Sequence, residues 1–435
     1  MIRFTYPVRL EIRPHTGEKL TATVAVPGSK SITNRALVLA ALTGSDTDCR
    51  LTGVLDSEDT RVMLDALLAL GFAAEADWDA CIVRFPVQTR RRIPATSADI
   101  FVANSGTSMR FLTAMAATGA GRYRFDGVPR MRERPIQDLL DALNQLGGVR
   151  VTSEAGNGCP PVVVETSGLR GGTVSIRADL SSQFLSGLLM AAPFAAEDVE
   201  IHIDGGLVSE PYVEMTLTMM QQWGYEVGRV GTAGFRIPAG QRLPNPETYA
   251  IEPDASAASY FFAAAAIHRG RVTVEGLTEN SLQGDVRFVD VLQQMGCRIE
   301  TCAAGITVHG GPLRGVDVDM NAISDTVMTL AVVACFADGP TRIRNVAHIR
   351  HKETDRISAL ATELRRVGAA VEEVADGLTV TPRPLHGATV KTYNDHRMAM
   401  SLALVGMKVP GVEIENPGCV AKTYPGFWRD LERLR

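Results

Sequence analysis

The sequence predicts an α/β protein built from six repeated βαβ-like units, grouped as two domains of three units each. Three observations predict this fold class: a recurring helix that ends at glycine, a β-rich pair of short segments after each glycine, and a loop-like stretch near the middle of the chain. At about 150 residues per domain, a chain of 435 residues allows two or three domains.

The repeat is defined by five apolar-periodic segments that end at a glycine, with successive glycines 72 to 77 residues apart. Glycine is expected just after a helix because it adopts the left-handed backbone conformation without a Cβ clash. A hairpin-like stretch follows each glycine, as in residues 297–308. The five segments are Met63–Gly71, Leu139–Gly147, Thr216–Gly224, Phe288–Gly296 and Leu360–Gly368.

The spacing allows a sixth unit that would run past the C-terminus. We therefore expect this unit to be split between a terminal helix at 427–434 and N-terminal strands near 8–12, with both chain ends in one domain. A Pro-containing stretch between Gly234 and Ala250 marks one crossing between domains, and Pro27-Gly28 marks the other. The predicted domains are residues 29–245, and residues 1–28 together with 246–435.

Composition excludes several classes of protein. The chain is 45% hydrophobic and 21% charged, as in globular proteins with large cores, and its net charge of −5 disfavours nucleic-acid binding. No apolar run approaches the ~18 residues of a membrane span, and the first residues lack the apolar core of a signal peptide. Seven scattered cysteines favour a reducing compartment, and eight histidines show no metal-ligand pattern. We expect a cytoplasmic protein without a metal.

A strand-like segment, 20–26, leads through Pro27-Gly28 into an apolar helix that begins with charged and hydroxyl residues. Backbone N–H groups at such a helix start point at an anion, and Lys30 and Arg35 would add full positive charges. Ser29 precedes the lysine where a P-loop requires glycine, so this is not a nucleotide-binding loop. An ordinary helix start with solvated cations fits the segment equally well.

Two further helix starts carry small polar residues. Gly106, within Asn-Ser-Gly-Thr-Ser-Met-Arg, leaves backbone amides open to a ligand, although a plain helix cap also fits. Ser181, Ser182 and Gln183 offer two hydroxyls and an amide, which suits a phosphate better than capping alone does. Between these two helix starts, the segment 129–135 carries three arginines and a glutamate between prolines. Both a mobile basic loop that closes on anions and a solvated charge run fit it.

The second half of the chain contains a dense charged segment. Glu353 lies beside Lys352 and three residues before Arg356, so on a helix the glutamate and the arginine would share a face. A carboxyl held among cations can act as an acid–base group, although a surface ion-pair helix fits as well. Asp325 opens an apolar helix, where an N-cap is the simpler interpretation.

A last group lies near the C-terminus. Asp395 is a candidate cap for a helix that begins near His396 and Arg397, two residues that would face a cleft. Lys422 lies in a loop with Gly and Pro on either side.

These polar helix starts recur at one point of the repeat, so units packed around an axis would direct them at a common cleft. A phosphate carries about −1.5 to −2 charges. Seven cations, offset by Asp325 and Glu353, therefore suit two substrates that each carry one phosphate and one carboxylate. The cations are Lys30, Arg35, Arg134, Lys352, Arg356, Arg397 and Lys422.

Over its whole length the chain resembles the 5-enolpyruvylshikimate-3-phosphate synthase family (3-phosphoshikimate 1-carboxyvinyltransferase). The matching segments are 27–35, 104–107, 129–135, 181–185, 352–356, 394–400 and Lys422-Thr423. The resemblance implies two domains, each of three βαβαββ repeats packed around an axis, that close over the substrates. It also implies transfer of the enolpyruvyl group of phosphoenolpyruvate to the 5-hydroxyl of 3-phosphoshikimate, in chorismate biosynthesis.

The resemblance further implies which residues hold each substrate, with Lys30 touching both, and it implies a monomer without a cofactor. The residues toward 3-phosphoshikimate would be Lys30, Ser31, Arg35, Ser181, Ser182, Gln183, Ser209, Tyr212, Asp325, His348 and Lys352. Those toward phosphoenolpyruvate would be Lys30, Gly106, Arg134, Gln183, Arg356, Arg397 and Lys422. Two departures are His348, where many members carry Asn, and Phe111, where plant-like members carry Pro.

We assign Asp325 as the base toward the 5-hydroxyl and Glu353 as the acid–base group at the methylene carbon, assisted by Lys30. In this reaction phosphoenolpyruvate is protonated at its methylene carbon, and the 5-hydroxyl adds to the cationic C2. The adduct then expels phosphate, which the cations stabilise, and returns a methyl proton. Domain closure would keep water from C2.

Two alternatives are open. UDP-N-acetylglucosamine enolpyruvyl transferase shares the fold but carries a reactive cysteine in its arginine loop, and residues 127–135 contain none. A non-catalytic module that binds acidic metabolites would not need both Asp325 and Glu353. The family's inhibitor, glyphosate, should fit because Gly106 is small.

Overall fold

The computed structural model describes residues 4–17, 19–44, 47–87, 93–231, 234–241 and 244–434. The chain divides into two compact units, which we call the central unit (Ser29–Ile251) and the terminal unit (Met1–Gly28 with Glu252–Arg435). The predicted boundary at 245/246 assigns residues 248–250 to the terminal side. In the structure these residues form a strand that pairs with Cys49–Thr52, inside the central unit.

The helices are mostly of two to four turns, and no helix in the described ranges is long and apolar enough to cross a membrane. The α-helices are α1 (Lys30–Thr43), α2 (Glu58–Ala69), α3 (Gly106–Ala116), α4 (Gln137–Gln145), α5 (Ser182–Ala191), α6 (Pro211–Gln222), α7 (Ala255–His268), α8 (Phe288–Gln294), α9 (Val327–Ala334), α10 (Arg356–Arg366), α11 (His396–Gly406) and α12 (Phe427–Glu432). Short 3-10 helices span Pro129–Glu133, Ala192–Phe194, Gly284–Arg287, Asn321–Thr326, Ala347–His351 and Pro417–Lys422.

The strands are short and alternate with the helices along the chain. In the central unit they are β3 (Cys49–Thr52), β4 (Glu75–Asp77), β5 (Ile82–Phe85), β6 (Ser97–Phe101), β7 (Gly121–Asp126), β8 (Val149–Ser153), β9 (Val162–Thr166), β10 (Gly172–Ala178), β11 (Val199–Leu207), β12 (Gly228–Val230), β13 (Gly234–Ile237) and β14 (Thr248–Ala250). In the terminal unit they are β1 (Arg9–Ile12), β2 (Thr21–Val24), β15 (Arg271–Glu275), β16 (Arg298–Cys302), β17 (Gly305–His309), β18 (Asp317–Asp319), β19 (Thr341–Arg344), β20 (Ala370–Val374), β21 (Gly377–Thr381), β22 (Thr389–Val390) and β23 (Val412–Glu415).

Three small mixed sheets lie in the described part of each unit. In one of them β6 and β7 are parallel with α3 between them, and after α4 the hairpin β8–β9 adds antiparallel to β7. This βαβαββ order recurs in β10–β13 of the central unit and in β18–β21 of the terminal unit. The predicted α/β fold class, with repeated βαβαββ units, is confirmed.

Three sheets are completed by strands from distant parts of the chain. β14 pairs in parallel with β3, and β2 pairs in parallel with β15. β1 pairs antiparallel with β23, which joins residues 9–12 to residues 412–415. The N-terminal strands and the C-terminal helix α12 therefore belong to the terminal unit.

The two helices of a repeat differ in burial. The first helices, such as α3 and α9, are buried on every side, whereas the second helices, such as α4 and α10, bury one face. In the central unit α3 packs on α1 and α5, and in the terminal unit α11 packs on α7 and α9. A helix that is buried all round must lie inside its unit, so each unit carries these first helices inside and its sheets outside.

The repeat glycines adopt the predicted conformation. The φ angle is +88° at Gly71, +69° at Gly147, +84° at Gly224, +114° at Gly296 and +105° at Gly368. Each glycine follows its helix after one intervening residue, so five helices end in the same way.

Candidate active site

Asp325 is the centre of a charged cluster in the terminal unit. Its Oδ1 accepts hydrogen bonds from Lys352 Nζ at 2.6 Å and from Arg356 Nη1 at 3.2 Å, and its Oδ2 accepts from Arg397 Nη2 at 2.7 Å. Asp325 lies in the 3-10 turn Asn321–Thr326, ahead of α9, and does not cap that helix. The N-cap interpretation is therefore wrong. The carboxylate instead accepts hydrogen bonds from three cationic side chains.

Arg356 joins three carboxylates. Besides its bond to Asp325, its Nη2 donates to Glu353 Oε2 at 2.9 Å and its Nε donates to Asp395 Oδ2 at 2.8 Å. The side chain is only 1% exposed. Burial alone lowers the pKa of this guanidinium, but the charges of Asp395, Glu353 and Asp325 outweigh burial and raise it above its usual value. Arg356 thus stays protonated and fixes the positions of the three carboxylates.

Glu353 and Lys422 approach each other beside this arginine. Glu353 Oε1 lies 3.9 Å from Lys422 Nζ, and both side chains are buried. The predicted pairing of Glu353 with Arg356 forms, but the shared helix face is wrong, since α10 begins only at Arg356. Lys422 ends the 3-10 turn Pro417–Lys422. The glutamate therefore lies between two cations, away from bulk water.

Lys352 and His348 also lie near Asp325. Burial lowers the pKa of Lys352, although a quarter of its side chain stays exposed; Asp325 opposes this shift and Arg356 adds to it. Burial, together with the charge of Lys352, lowers the pKa of His348 to about 3. His348 is therefore a neutral imidazole at ordinary pH, which makes it electrically similar to the Asn that many family members carry.

Asp395 caps α11, as predicted, and it also belongs to the cluster. Its Oδ1 accepts a hydrogen bond from the Arg397 backbone N–H at 2.8 Å, and its two oxygens bind Arg356. Neither Asp395 nor His396 is exposed. The expectation that His396 faces a cleft is therefore wrong, whereas Arg397 reaches Asp325.

In the central unit, Arg35 is buried among neutral oxygen atoms. Its guanidinium donates to Thr216 Oγ1 at 2.7 Å, Ser186 Oγ at 3.2 Å, the Tyr212 carbonyl at 3.1 Å and the Ser31 carbonyl at 3.0 Å. Burial lowers its pKa to about 10, and the group stays charged at neutral pH. The interpretation as a solvated cation is therefore wrong for Arg35.

Lys30 is the first residue of α1, whose cap is the side chain of Ser29. Its Nζ lies 3.4 Å from Asp59 Oδ2, and the lysine side chain is 12% exposed. Asp59 belongs to the first turn of α2. Lys30 is thus oriented by a carboxylate on the neighbouring helix.

Gly106 and Arg134 lie in close contact. Arg134 Nη1 donates to the Asn104 carbonyl at 3.3 Å, and a Cβ on Gly106 would come within 2.8 Å of Arg134 Cζ. The basic segment forms the 3-10 turn Pro129–Glu133, in which Arg132 binds Asp126. Arg134 is 5% exposed. The charge run is therefore shaped and partly buried, and glycine makes room for its last arginine.

The remaining predicted residues of the central unit lie at two helix starts. Ser181 caps α5 by accepting from the Gln183 N–H, and Gln183 Nε2 donates to Thr107 Oγ1 at 3.2 Å. This bond joins the start of α5 to the start of α3. Ser182 is buried at the first turn of α5, and Ser209, with φ of +53°, precedes α6 and Tyr212.

Sequence reasoning missed the groups that orient these cations. Asp59 lies in the first turn of a helix, where an acidic residue interacts favourably with the helix dipole. That role explains the residue fully, so the sequence gives no reason to expect its contact with Lys30. Thr216 and Ser186 are separated from Arg35 by 181 and 151 residues. Asp395 was predicted as a cap, and nothing in its neighbourhood in the sequence indicated Arg356.

The chain is similar to known proteins over nearly its whole length. The model of the EPSP synthase (3-phosphoshikimate 1-carboxyvinyltransferase) family matches residues 14–431. The 3-phosphoshikimate 1-carboxyvinyltransferase of Nostoc punctiforme is 48% identical over 95% of this chain and 96% of its own length. The enzyme of the same name from Shewanella pealeana is 45% identical over 98% of this chain and 99% of its own.

Solved structures share the fold at lower identity. EPSP synthase from Acinetobacter baumannii superposes with a TM-score of 0.79 at 23% identity, over 98% of both chains. The enolpyruvyl transferase NikO from Streptomyces tendae gives a TM-score of 0.76 at 21% identity, over 98% of this chain and 96% of its own. With the family model and relatives near half identity over the full length, the chain belongs to the EPSP synthase family.

Proposed function

We propose that this protein transfers the enolpyruvyl group of phosphoenolpyruvate to the 5-hydroxyl of 3-phosphoshikimate and releases phosphate, in the biosynthesis of chorismate and the aromatic amino acids. The observation that carries the proposal is the cluster in which Arg356 binds Asp325, Glu353 and Asp395. It places two carboxylates in different surroundings beside cations, as an addition–elimination with two proton transfers requires.

Asp325 is suited to be the base toward the 5-hydroxyl. Hydrogen bonds from Lys352, Arg356 and Arg397 stabilise its ionised form, and 15% of its side chain stays exposed and can be reached by a substrate. The proton of the hydroxyl is taken up by the ionised Asp325 carboxylate, while Lys352, whose Nζ donates to Asp325 Oδ1 at 2.6 Å, keeps its own proton and holds the carboxylate in position.

Glu353 is suited to exchange a proton with the methylene carbon. Its two oxygens face Arg356 and Lys422, and the side chain is 7% exposed. A buried carboxyl between cations is held in one orientation, and water is kept from the reactive C2 that forms after protonation. Lys30, held by Asp59, would assist from the central unit.

The cations divide between two anionic substrates. Gly106 and Arg134 of the central unit, with Gln183, would bind phosphoenolpyruvate together with Arg356, Arg397 and Lys422 of the terminal unit. The second substrate, 3-phosphoshikimate, would be bound by Lys30, Ser31, Arg35, Ser181, Ser182, Gln183, Ser209, Tyr212, Asp325, His348 and Lys352. Developing negative charge on the departing phosphate is stabilised by these fixed cations, because they need no rearrangement in the transition state.

The cellular compartment and the oligomeric state are part of the same proposal. Seven free thiols lie among the described residues, which suits a reducing compartment, and we propose that the protein works in the cytoplasm as a monomer. Gel filtration at assay concentrations tests the monomer; a dimeric elution volume would contradict it.

The experiment is to mix the purified protein with both substrates and to follow phosphate release and the mass of the product. Phosphate should appear only when both substrates are present, with one enolpyruvyl-shikimate product per phosphate. UDP-N-acetylglucosamine in place of 3-phosphoshikimate should give no release. Release with that nucleotide sugar, or no release with either acceptor, would overturn the proposal.

A further inference from the structure

The segment that leads into α11 has an unusual backbone. The Asp395 N–H donates to the Thr392 carbonyl at 2.9 Å, and the two residues between them, Tyr393 and Asn394, both have a φ angle of +55°. A four-residue turn with two positive φ angles at its centre is the type I′ pattern, which glycine, asparagine and aspartate favour. Asn394 suits it, whereas a bulky aromatic residue at positive φ is rare and strained.

Glu363 of α10 holds this turn from the side. Its Oε1 accepts from the Tyr393 O–H at 2.7 Å and its Oε2 accepts from the Lys391 N–H at 3.0 Å. The glutamate is completely buried, and Arg366 compensates its charge with a bond of 2.7 Å. Burial and the bond to Glu363 raise the pKa of Tyr393 to about 12, so the phenol remains a donor at all ordinary pH values.

The residues that follow the turn, Asp395 and Arg397, belong to the charged cluster around Asp325. Asp395 follows directly, caps α11 and binds Arg356, while Arg397 reaches Asp325 Oδ2 at 2.7 Å. Within the described residues the hydrogen bonds of Glu363 go to Arg366, Lys391 and Tyr393 and not to the cluster itself.

We propose that Glu363 is a positioning residue that sets Arg356 and Arg397 in advance for phosphoenolpyruvate, by holding the Tyr393–Asn394 turn in its strained form through the tyrosine hydroxyl. This inference rests on the proposed function, because it takes the ligand of these two arginines from it. We call the hydrogen bonds from Tyr393 and Lys391 to Glu363 the clamp. Its central residue, Glu363, is neither a predicted ligand residue nor a member of the charged cluster.

Two variants weaken the clamp without removing side-chain volume: Glu363→Gln and Tyr393→Phe. In the substrate-free protein, amide hydrogen exchange of the peptide that covers 391–397 should become faster in both. KM for phosphoenolpyruvate should rise about tenfold, the effect of one charge-assisted hydrogen bond, while KM for 3-phosphoshikimate stays within about twofold. Tyr249→Phe is the matched control, since it removes a tyrosine hydroxyl bonded at the same 2.7 Å, to Gln222 in the central unit.

A rescue separates positioning from general damage. Asparagine adopts positive φ readily, so Tyr393→Asn added to Glu363→Gln should restore slow exchange and most of the affinity for phosphoenolpyruvate. Equal rises in both KM values, unchanged exchange in both single variants, or failure of the asparagine to restore slow exchange would overturn the inference. If Glu363→Gln does not fold, Tyr393→Phe decides alone by the same two measurements. Absence of phosphate release by the wild type would defeat the proposed function, whereas the exchange data would still decide whether Glu363 orders the turn.

Discussion

A buried arginine in each unit has opposite electrostatic surroundings: carboxylates in the terminal unit and neutral oxygen atoms in the central unit. In the terminal unit Arg356 lies among Asp325, Glu353 and Asp395, whose charges raise its pKa in spite of burial. In the central unit Arg35 is equally buried, but its hydrogen bonds within the described residues go to neutral oxygen atoms, and burial lowers its pKa to about 10.

This difference predicts different roles for the two units. The hydroxyl and carbonyl groups around Arg35 carry no compensating charge, so an anion bound near it, as proposed for 3-phosphoshikimate, would gain an electrostatic attraction that no neighbouring carboxylate reduces. An anion that reaches Arg356 must share the guanidinium with carboxylates already bound to it. We therefore propose that the central unit mainly binds substrate anions, and that carboxylates held in fixed positions in the terminal unit transfer protons.

The largest expected effect tests the terminal unit's chemistry. Asp325→Asn keeps the side-chain shape and removes the base, so kcat should fall by about 10²- to 10⁴-fold, the usual contribution of general base catalysis. Phosphate release at saturating substrate measures it. Asp317→Asn on β18 is the control, since that carboxylate is 53% exposed and pairs with Arg342 and Arg344. Undiminished release by Asp325→Asn would contradict the assignment.

The second prediction compares the two arginines directly. Arg356→Met leaves three carboxylates without their shared cation, and it should lower the free energy of unfolding by about 3–5 kcal/mol. Arg35→Met leaves neutral acceptors, two of which, Thr216 and Ser186, already bond to each other at 3.0 Å. It should cost only about 1–2 kcal/mol. Urea unfolding of the substrate-free protein measures both; equal losses would remove the contrast between the units.

The third prediction concerns the room that glycine makes for Arg134. Gly106→Ala places a Cβ within 2.8 Å of Arg134 Cζ, so the guanidinium must move, and KM for phosphoenolpyruvate should rise about tenfold, as expected for one weakened charge-assisted contact. Millimolar glyphosate should inhibit the wild type and inhibit Gly106→Ala less. Gly228→Ala, whose Cβ would meet its nearest atom only at 3.7 Å, is the control. Wild-type activity that is insensitive to millimolar glyphosate would contradict the predicted fit.

The smallest expected effect is on the pH dependence of stability. The folded-state pKa of His348 is about 3, below the unfolded value of about 6.5, so only the unfolded chain gains a proton between these values. The stability is complete above pH 6.5 and falls as the pH is lowered, by about 1–2 kcal/mol between pH 6.5 and pH 5. His348→Asn should flatten this slope in urea unfolding, and an unchanged slope would contradict the assignment of a neutral, buried imidazole.

Much of the fold could be predicted because its helix ends and helix starts depend on residues that are close in the sequence. The glycines that end α2, α4, α6, α8 and α10 need only one backbone conformation, and the polar helix starts need only neighbouring residues. The site was harder, since its ordering contacts are distant in the sequence: Arg35 meets Thr216, and Arg356 meets Asp395. Asp325 was misread as a cap because a 3-10 turn before a helix has no sequence signature that separates it from a helix start.

The pairing of β2 with β15 has a consequence for how the protein is made. Residues 21–24 leave the ribosome early, but their partner, residues 271–275, is synthesised only after the whole central unit. The central unit can fold during synthesis, whereas the terminal unit, with both proposed proton-transfer carboxylates, must wait for nearly the entire chain. A nascent chain arrested before the last strand should therefore already hold Arg35 of the central unit in place, but it should lack the proposed acid–base chemistry.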